Sequence, residues 1–136
     1  MSRIITFSIA LLLFGCATAE RIVPAPVVLP DDGATATFGE LHPKIRQLAW
    51  RATEAFYRDD WKDLVETAQN LEKASRLLRT SKEAPLRVQP ILMAKCDEMA
   101  NECIQLREAS QAAAIERIGV HLQKINNIVR ELRPDV

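Results

Sequence analysis

Apolar residues recur at alternating spacings of three and four along four separate stretches of the chain. The clearest stretch runs from Ile115 to Arg133, near the C-terminus, where the apolar residues form one stripe along a predicted helix. That stripe consists of Ile115, Ile118, Leu122, Ile125, Val129 and Leu132. A helix with one apolar face needs other helices to cover that face, so this stretch predicts a packed assembly of helices.

Two further stretches with this pattern lie between residues 40 and 80. The first helix is predicted from about residue 40 to residue 57, which places Pro43 in the first turn, where a missing N–H is tolerated. Asp59 and Asp60 provide a cap for the second helix. The predicted core residues are Leu41, Ile45, Leu48, Ala52 and Ala55 in the first helix, and Trp61, Leu64, Ala68, Leu71, Ser75 and Leu78 in the second.

The third helix is predicted to begin at or after Pro85 and Pro90, because proline is tolerated only near the start of a helix. Ser110 is the predicted cap of the fourth helix, and Pro134 ends that helix. Gly119, inside the fourth helix, is predicted to allow a close contact between helices. The predicted core residues of the third helix are Leu92, Cys96, Met99, Cys103 and Leu106.

Four amphipathic helices with short connections and no strand-like alternation predict an all-α fold. The expected architecture is an antiparallel up-down-up-down four-helix bundle over residues 38–136. A pair of long helical hairpins that dimerise to complete the core is the alternative. The sequence does not separate these two arrangements.

The N-terminus carries a secretory signal rather than a membrane span. Arg3 precedes an uncharged run at residues 4–14, well short of the roughly 20 residues of a membrane-spanning helix. The sequence Leu-Phe-Gly-Cys at positions 13–16 resembles the lipobox of bacterial lipoproteins. The resemblance implies a signal peptide at residues 1–15, acylation of Cys16 with chains such as palmitate and, because Ala17 follows, an outer-membrane anchor facing the periplasm. Ordinary cleavage after Ala19 is the alternative.

Residues 16–37 are predicted to form an extended tether, because Pro24, Pro26 and Pro30 fix the backbone there. Of the 18 basic residues only Arg3 lies in the signal peptide, which leaves 17 basic and 18 acidic residues in the mature chain. This near-neutral balance gives no electrostatic case for binding nucleic acid or an anionic membrane surface. The expected partners are the membrane, through the lipid anchor only, and an envelope protein or a second copy of the chain.

The order of residues from Ile125 to Pro134 is similar to the last helix of cytochrome c-prime. In that family this helix carries Cys-x-x-Cys-His and a trailing Arg, which Arg133 matches. By this resemblance Ile125, Ile128 and Val129 stand where the two heme-attaching cysteines and the ligand histidine would be. The Trp, Ala and Leu pattern from residue 61 to residue 78 resembles the second helix of the same family. The resemblance therefore implies a bundle whose heme site is filled by aliphatic side chains, with no cofactor.

Heme held without thioether bonds would need other ligands. His42 and His121 are predicted to lie roughly 16 Å apart along the bundle, which is too far for both to ligate one iron. Ligation by His121 and a methionine stays open.

Cys96, Met99, Cys103 and His121 form a candidate metal site, because sulfur and imidazole ligands suit Cu(I) or zinc. A helical hairpin that turns near Ser110 places Cys103 close to the level of His121. The alternative is that the sulfur residues fill the core. No stretch shows a nucleophile beside a base, paired carboxylates in an apolar setting or a phosphate-binding glycine loop, so an enzyme is not expected.

Three functions remain open from the sequence. The first is a lipid-anchored, heme-free bundle, similar to cytochrome c-prime, that acts as a structural or partner-binding module. The second is a small metal-binding or redox protein that uses copper or zinc on the Cys, Met and His side chains. The third is a subunit of a larger envelope complex.

Overall fold

The computed structural model describes residues 25–31 and 35–134, and within them every regular element is a helix. The four helices are α1 (Phe38–Tyr57), α2 (Trp61–Arg79), α3 (Gln89–Gln111) and α4 (Ile115–Glu131). The all-α prediction is confirmed. None of these helices is both long and apolar enough to cross a membrane. The predicted signal peptide and the predicted lipidation at Cys16 lie outside the described residues.

Each helix packs against two neighbours, which gives a four-sided antiparallel bundle. Helix α1 contacts α2 and α4, α3 contacts the same two helices, and the backbones of the diagonal pairs lie farther apart among the described residues. Ion pairs cross the interfaces at the levels expected for antiparallel neighbours: Arg79 and Asp97 lie 2.9 Å apart between α2 and α3, and Lys95 and Glu131 lie 2.8 Å apart between α3 and α4. The up-down-up-down prediction is therefore confirmed, and one chain supplies all four sides of the core.

The predicted core residues line the interior with one exception. Those of the first and third helices are all buried, and so are those of α2 after its half-buried first residue, Trp61. Ile115 was predicted to be buried, but it is 58% exposed. Ile115 is the first residue of α4 and lies at the end of the bundle. Because α3 ends at Gln111 and only the connection at residues 112–114 follows it, few side chains cover Ile115.

Helix α1 begins two residues earlier than predicted because a capping box fixes its start. The Thr37 hydroxyl accepts from the Glu40 backbone N–H at 3.3 Å, and the Glu40 carboxylate accepts from the Thr37 N–H at 2.9 Å. Pro43 is consequently the sixth residue of the helix rather than part of the first turn. The carbonyl of Gly39, four residues before Pro43, therefore receives no N–H from the residue that would normally donate to it.

The predicted caps of α2 and α4 have opposite outcomes. Asp60 caps α2 as predicted, because its carboxylate accepts from the Asp63 N–H at 3.0 Å. The prediction for Ser110 is wrong: it is buried inside α3, where its hydroxyl donates to the Leu106 carbonyl at 2.6 Å. Helix α3 runs past it, and the N-cap of α4 is Ala114, which makes no side-chain cap.

The described part of the predicted tether lies against the bundle. Val27, Leu29 and Ala36 pack onto the core, and the Lys44 ammonium donates to the Val28 carbonyl at 2.7 Å. Residues 25–31 are therefore held on α1 instead of standing apart from the folded domain. We call the end of the bundle where α1 begins the proximal end, and the end formed by the α1–α2 and α3–α4 connections the distal end.

Candidate functional site

The three sulfur residues of α3 lie in the core. Cys96 and Cys103 are each 1% exposed, and Met99 is completely buried. Burial raises the pKa of the Cys96 thiol to about 12 and raises the pKa of Cys103 as well. Both cysteines are free, and at neutral pH both are protonated thiols. Because the thiolate is the form that binds metals and attacks electrophiles, these positions favour packing over chemistry.

His121 meets a carboxylate instead of a sulfur. Its Nδ1 lies 2.6 Å from Glu102 Oε2, and this contact confirms that α3 near residue 103 is level with His121. Cys103, however, is buried in the core. Within residues 25–31 and 35–134, no group of three or more His, Cys, Asp and Glu side chains is placed to hold a metal ion. Cys96, Cys103 and His121 therefore do not come together as the candidate metal site requires.

Glu102 is the centre of a polar link between α3 and α4. Its second carboxylate oxygen, Oε1, accepts from the Lys124 ammonium at 2.9 Å. Burial acts to raise the pKa of Glu102, but the hydrogen bonds from His121 and Lys124, together with the Lys124 charge, outweigh burial and lower that pKa below its ordinary value. Glu102 is not among the candidate residues predicted from the sequence. The signal was its position, directly before Cys103 and thus opposite His121 in the predicted hairpin.

The residues aligned with the cytochrome c-prime heme site belong to the core. Ile125 is fully buried, and Ile128 and Val129 are 2% and 7% exposed. The prediction that this part of α4 faces the interior is confirmed, and aliphatic side chains fill it. The correspondence with heme-binding positions rests on the resemblance and stays a prediction.

The two histidines lie even farther apart than predicted. A hydrogen bond of 3.3 Å from the Asn126 amide to the Thr53 hydroxyl sets the level of α1 against α4. His42 is eleven residues before Thr53, and His121 is five residues before Asn126, which places them on opposite sides of that contact, about 24 Å apart along the bundle. His42 is buried and stacks on Phe38 with ring centroids 5.4 Å apart. Ligation of one iron by both histidines is therefore ruled out by distance.

Helices α1 and α4 form the smallest of the four interfaces, and its outer edge is a surface that we call the α1–α4 seam. The Thr53–Asn126 hydrogen bond marks its middle. Residues three, four, seven or eleven positions from Thr53 or Asn126 lie on the same helix face as these two residues. The other seam residues are Arg46, Trp50 and Tyr57 on α1, Ile115, Gly119 and Arg130 on α4, and Arg133 just beyond α4.

The seam has two halves with different chemistry. The distal half is apolar: Tyr57 is 76% exposed and Ile115 is 58% exposed, and Gly119 lies on the same side. The proximal half is the basic part, and it consists of exposed Arg46, Trp50, Arg130 and Arg133. The 3.6-residue periodicity of each helix was readable from the sequence, but the pairing of the two faces was not.

Gly119 does not serve a close contact between helices, so that prediction is wrong. A Cβ atom built on Gly119 would meet no atom of a neighbouring residue within 4 Å. The space over Gly119 in the distal half of the seam, beside Val120, which is 51% exposed, is therefore open, and we call this open space the notch.

Replacing Gly119 by alanine is expected to raise the free energy of unfolding by about 1 kcal/mol, because alanine is the better helix former and its Cβ fits the open space. Urea unfolding followed by circular dichroism measures the change. Gly39→Ala, in the first turn of α1, is the control, and a smaller gain is expected there because fewer helical hydrogen bonds depend on that residue. A Gly119→Ala protein less stable than the native one would show that the notch is needed for folding.

The titratable and sulfur-bearing side chains considered above are engaged in packing or in links between helices, while the α1–α4 seam remains open on the surface. The seam is thus the part of the described chain best placed to contact another molecule. No family model, curated protein or solved structure matches the chain.

Proposed function

We propose that the chain is a lipid-anchored, heme-free four-helix bundle, similar to cytochrome c-prime, that faces the periplasm and acts as a partner-binding module. The observation that carries this proposal is the exposed apolar distal half of the α1–α4 seam, on a bundle that already closes its own core. Exposed apolar surface of this kind marks interaction sites in soluble domains. The partner is an envelope protein or a second copy of the chain.

The distal half has the features of an interface centre. Tyr57 presents a large amphipathic ring, a residue type enriched at binding hot spots. Its ring lies 5.6 Å from that of Phe56, which in turn lies 6.4 Å from that of Trp61, so the exposed aromatic side chain is backed by others. A ring held in this way loses less conformational entropy on binding. The notch at Gly119 offers room for a partner side chain.

The lipid anchor is supported by the Leu-Phe-Gly-Cys sequence at positions 13–16. Several acyl chains on Cys16 would hold the protein stably, which a single chain does not. Incorporation of labelled palmitate tests this part: the native chain is expected to take up label and Cys16→Ser is not. A native chain without label would overturn the anchor.

Photo-crosslinking in intact cell envelopes tests the partner-binding role. A photoreactive amino acid at position 57 is expected to give one discrete crosslinked species, whose mass separates a homodimer from a complex with another protein. Leu86 is the matched control, because it is 85% exposed and apolar but lies at the proximal end.

A shape control accompanies the crosslinking experiment. Gly119→Leu would fill the notch without entering the core and is expected to abolish the species formed at position 57. If position 57 gives no discrete species, or gives the same pattern as position 86, the distal half is not a binding surface.

A further inference from the structure

We infer that the proximal half of the α1–α4 seam docks the bundle onto an anionic phospholipid surface through Arg46, Arg130, Arg133 and Trp50. This inference rests on the proposed function for the lipid anchor that brings the bundle to a membrane. The contact itself is made by the side chains of the bundle. It is distinct from the apolar distal half, where the protein partner would bind.

The four residues share one patch because of the register between α1 and α4. Arg46 lies seven residues before Thr53 and Arg133 lies seven residues after Asn126, so both are about 10 Å from the Thr53–Asn126 contact in the same direction. Trp50 and Arg130 lie one turn from that contact on the same side. All four are exposed, Trp50 by 52%.

The guanidinium charges of the patch are not neutralised within the described part of the protein. None of the three arginines takes part in an ion pair there, and Arg130 donates instead to the neutral amide oxygen of Asn127. Each is therefore available to an external anion. Two acidic residues of these helices lie at a distance from the patch: Glu40 in the Thr37 cap and Glu116 at the distal start of α4. Two others are nearer: Glu54 lies one turn from Trp50, and Glu131, next to Arg130, is in an ion pair with Lys95.

The combination of arginine with an exposed tryptophan fits a lipid headgroup layer. Guanidinium groups bind phosphate through two parallel hydrogen bonds, which a compact ammonium does not match. The side chain of Trp50 is exposed, and indoles favour the boundary between headgroups and acyl chains. The near-neutral charge of the mature chain conceals this patch, because net charge is a sum over all basic and acidic residues.

The length of chain before the bundle places the patch within reach of the membrane. Eight residues lie between Cys16 and Ala25, the first described residue, and the distance from Cys16 to Ala25 is at most about 30 Å when the chain is fully extended. Residues 25–31 are then fixed to α1 by the hydrogen bond from Lys44 to the Val28 carbonyl, near the level of Arg46. An anchored chain thus keeps the proximal end near the surface, which raises the effective concentration of the patch there.

Co-sedimentation with lipid vesicles tests the inference. The mature chain, residues 16–136, carrying Cys16→Ser, contains every described core residue but has no acyl anchor. It is expected to bind vesicles of phosphatidylcholine with phosphatidylglycerol and to bind pure phosphatidylcholine weakly. Added salt should release it, because screening shortens the reach of the surface charge.

Two matched triple variants identify the surface that binds. Replacing Arg46, Arg130 and Arg133 by glutamine is expected to weaken binding to anionic vesicles about a hundredfold, at roughly fivefold for each basic residue near the surface. The control variant removes the same charge from three other exposed positions and is expected to change binding much less. These positions are Lys62, Arg87 and Arg117. Equal binding to both vesicle types, or equal loss in both variants, would overturn the inference.

Fluorescence of Trp50 gives a second readout. With Trp61→Phe, Trp50 is the single tryptophan, and its emission is expected to shift to the blue on anionic vesicles. An unchanged spectrum in bound protein would show that another surface makes the contact. The vesicle assay uses a protein without the anchor, so its result is independent of the palmitate experiment. If the native chain takes up palmitate but the unanchored protein does not bind vesicles, the docking inference is wrong and the anchor stands. If the unanchored protein binds vesicles but the native chain takes up no palmitate, the anchor is wrong and the docking inference stands.

Discussion

Truncation of Ile125 or Ile128 to alanine is expected to lower the free energy of unfolding by about 2 to 5 kcal/mol for each residue. Ile125 is fully buried and Ile128 is 2% exposed. Each substitution removes three carbon atoms from the packed interior, so the protein loses their transfer free energy and retains part of the cavity that they leave. Urea unfolding with linear extrapolation measures the loss, and an unchanged slope would show that the unfolded state is not altered.

The chain supplies a matched control for this prediction. Ile115→Ala makes the same chemical change in the same helix, but Ile115 is 58% exposed, so a change within about 0.5 kcal/mol is expected. Losses at positions 125 and 128 no larger than at position 115 would mean that these residues do not face a packed core. The alignment of this stretch with a heme-binding helix would then be wrong as well.

This test measures how much the packing of the last helix contributes to stability. A heme-binding bundle must leave space beside its last helix for the macrocycle, whereas here Ile125, Ile128 and Val129 are packed among other buried side chains. If the expected losses are measured, the packing of these aliphatic side chains stabilises the last helix. The bundle then needs no heme to hold its last helix.

The helices were predictable because burial imposes a 3.6-residue period, but two of their predicted starts are wrong. A Thr-x-x-Glu pattern at Thr37 and Glu40 marks the start of α1, and the capping box places Pro43 in the second turn. At the other end of the chain, Ser110 bonds back to the Leu106 carbonyl inside α3. A serine can either cap the start of a helix or bond back to a carbonyl one turn earlier in a helix. Because α3 extends past Ser110, this serine makes the second kind of bond.

The candidate sites were less predictable because they depend on contacts between distant residues. Thr53 and Asn126, whose contact sets the register of the seam, are 73 residues apart in the chain. Net charge is a sum over the whole sequence, so it could not show that three arginines lie together at the proximal end. The pairing of Glu102 with His121 was easier to predict from the sequence, because α3 and α4 form a hairpin whose turn was predicted.

Replacing Glu102 by glutamine is expected to lower the free energy of unfolding near neutral pH by about 1 to 3 kcal/mol. The side chain is only 15% exposed, and the substitution removes the charged hydrogen bonds that the carboxylate makes with His121 and Lys124. The native protein should lose this contribution in acid. The folded state holds the pKa of Glu102 below its ordinary value, so the contribution is complete above the unfolded pKa of about 4.3 and disappears as the pH falls through the lower folded pKa.

Chemical unfolding of the native and Glu102→Gln proteins across the acidic range measures this convergence. The two stabilities should differ near neutral pH and approach each other in acid. Both proteins keep some acid sensitivity, because hydrogen bonds from the Thr37 backbone and hydroxyl also lower the pKa of Glu40. Glu108→Gln is the matched control: this exposed residue of α3 makes no ion pair in the described part of the chain, and little change is expected.

The change of the stability difference with pH distinguishes an effect of the Glu102 charge from an effect of side-chain packing. If Glu102 mattered only for the space that it fills, Glu102→Gln would be nearly neutral at every pH, because the two side chains have almost the same shape. A difference that persists unchanged into acid would contradict the lowered pKa. A stability difference that vanishes in acid shows that the ionised Glu102 carboxylate is required. His121→Gln should then remove part of the stability that Glu102→Gln removes, because His121 and Lys124 both bind the Glu102 carboxylate.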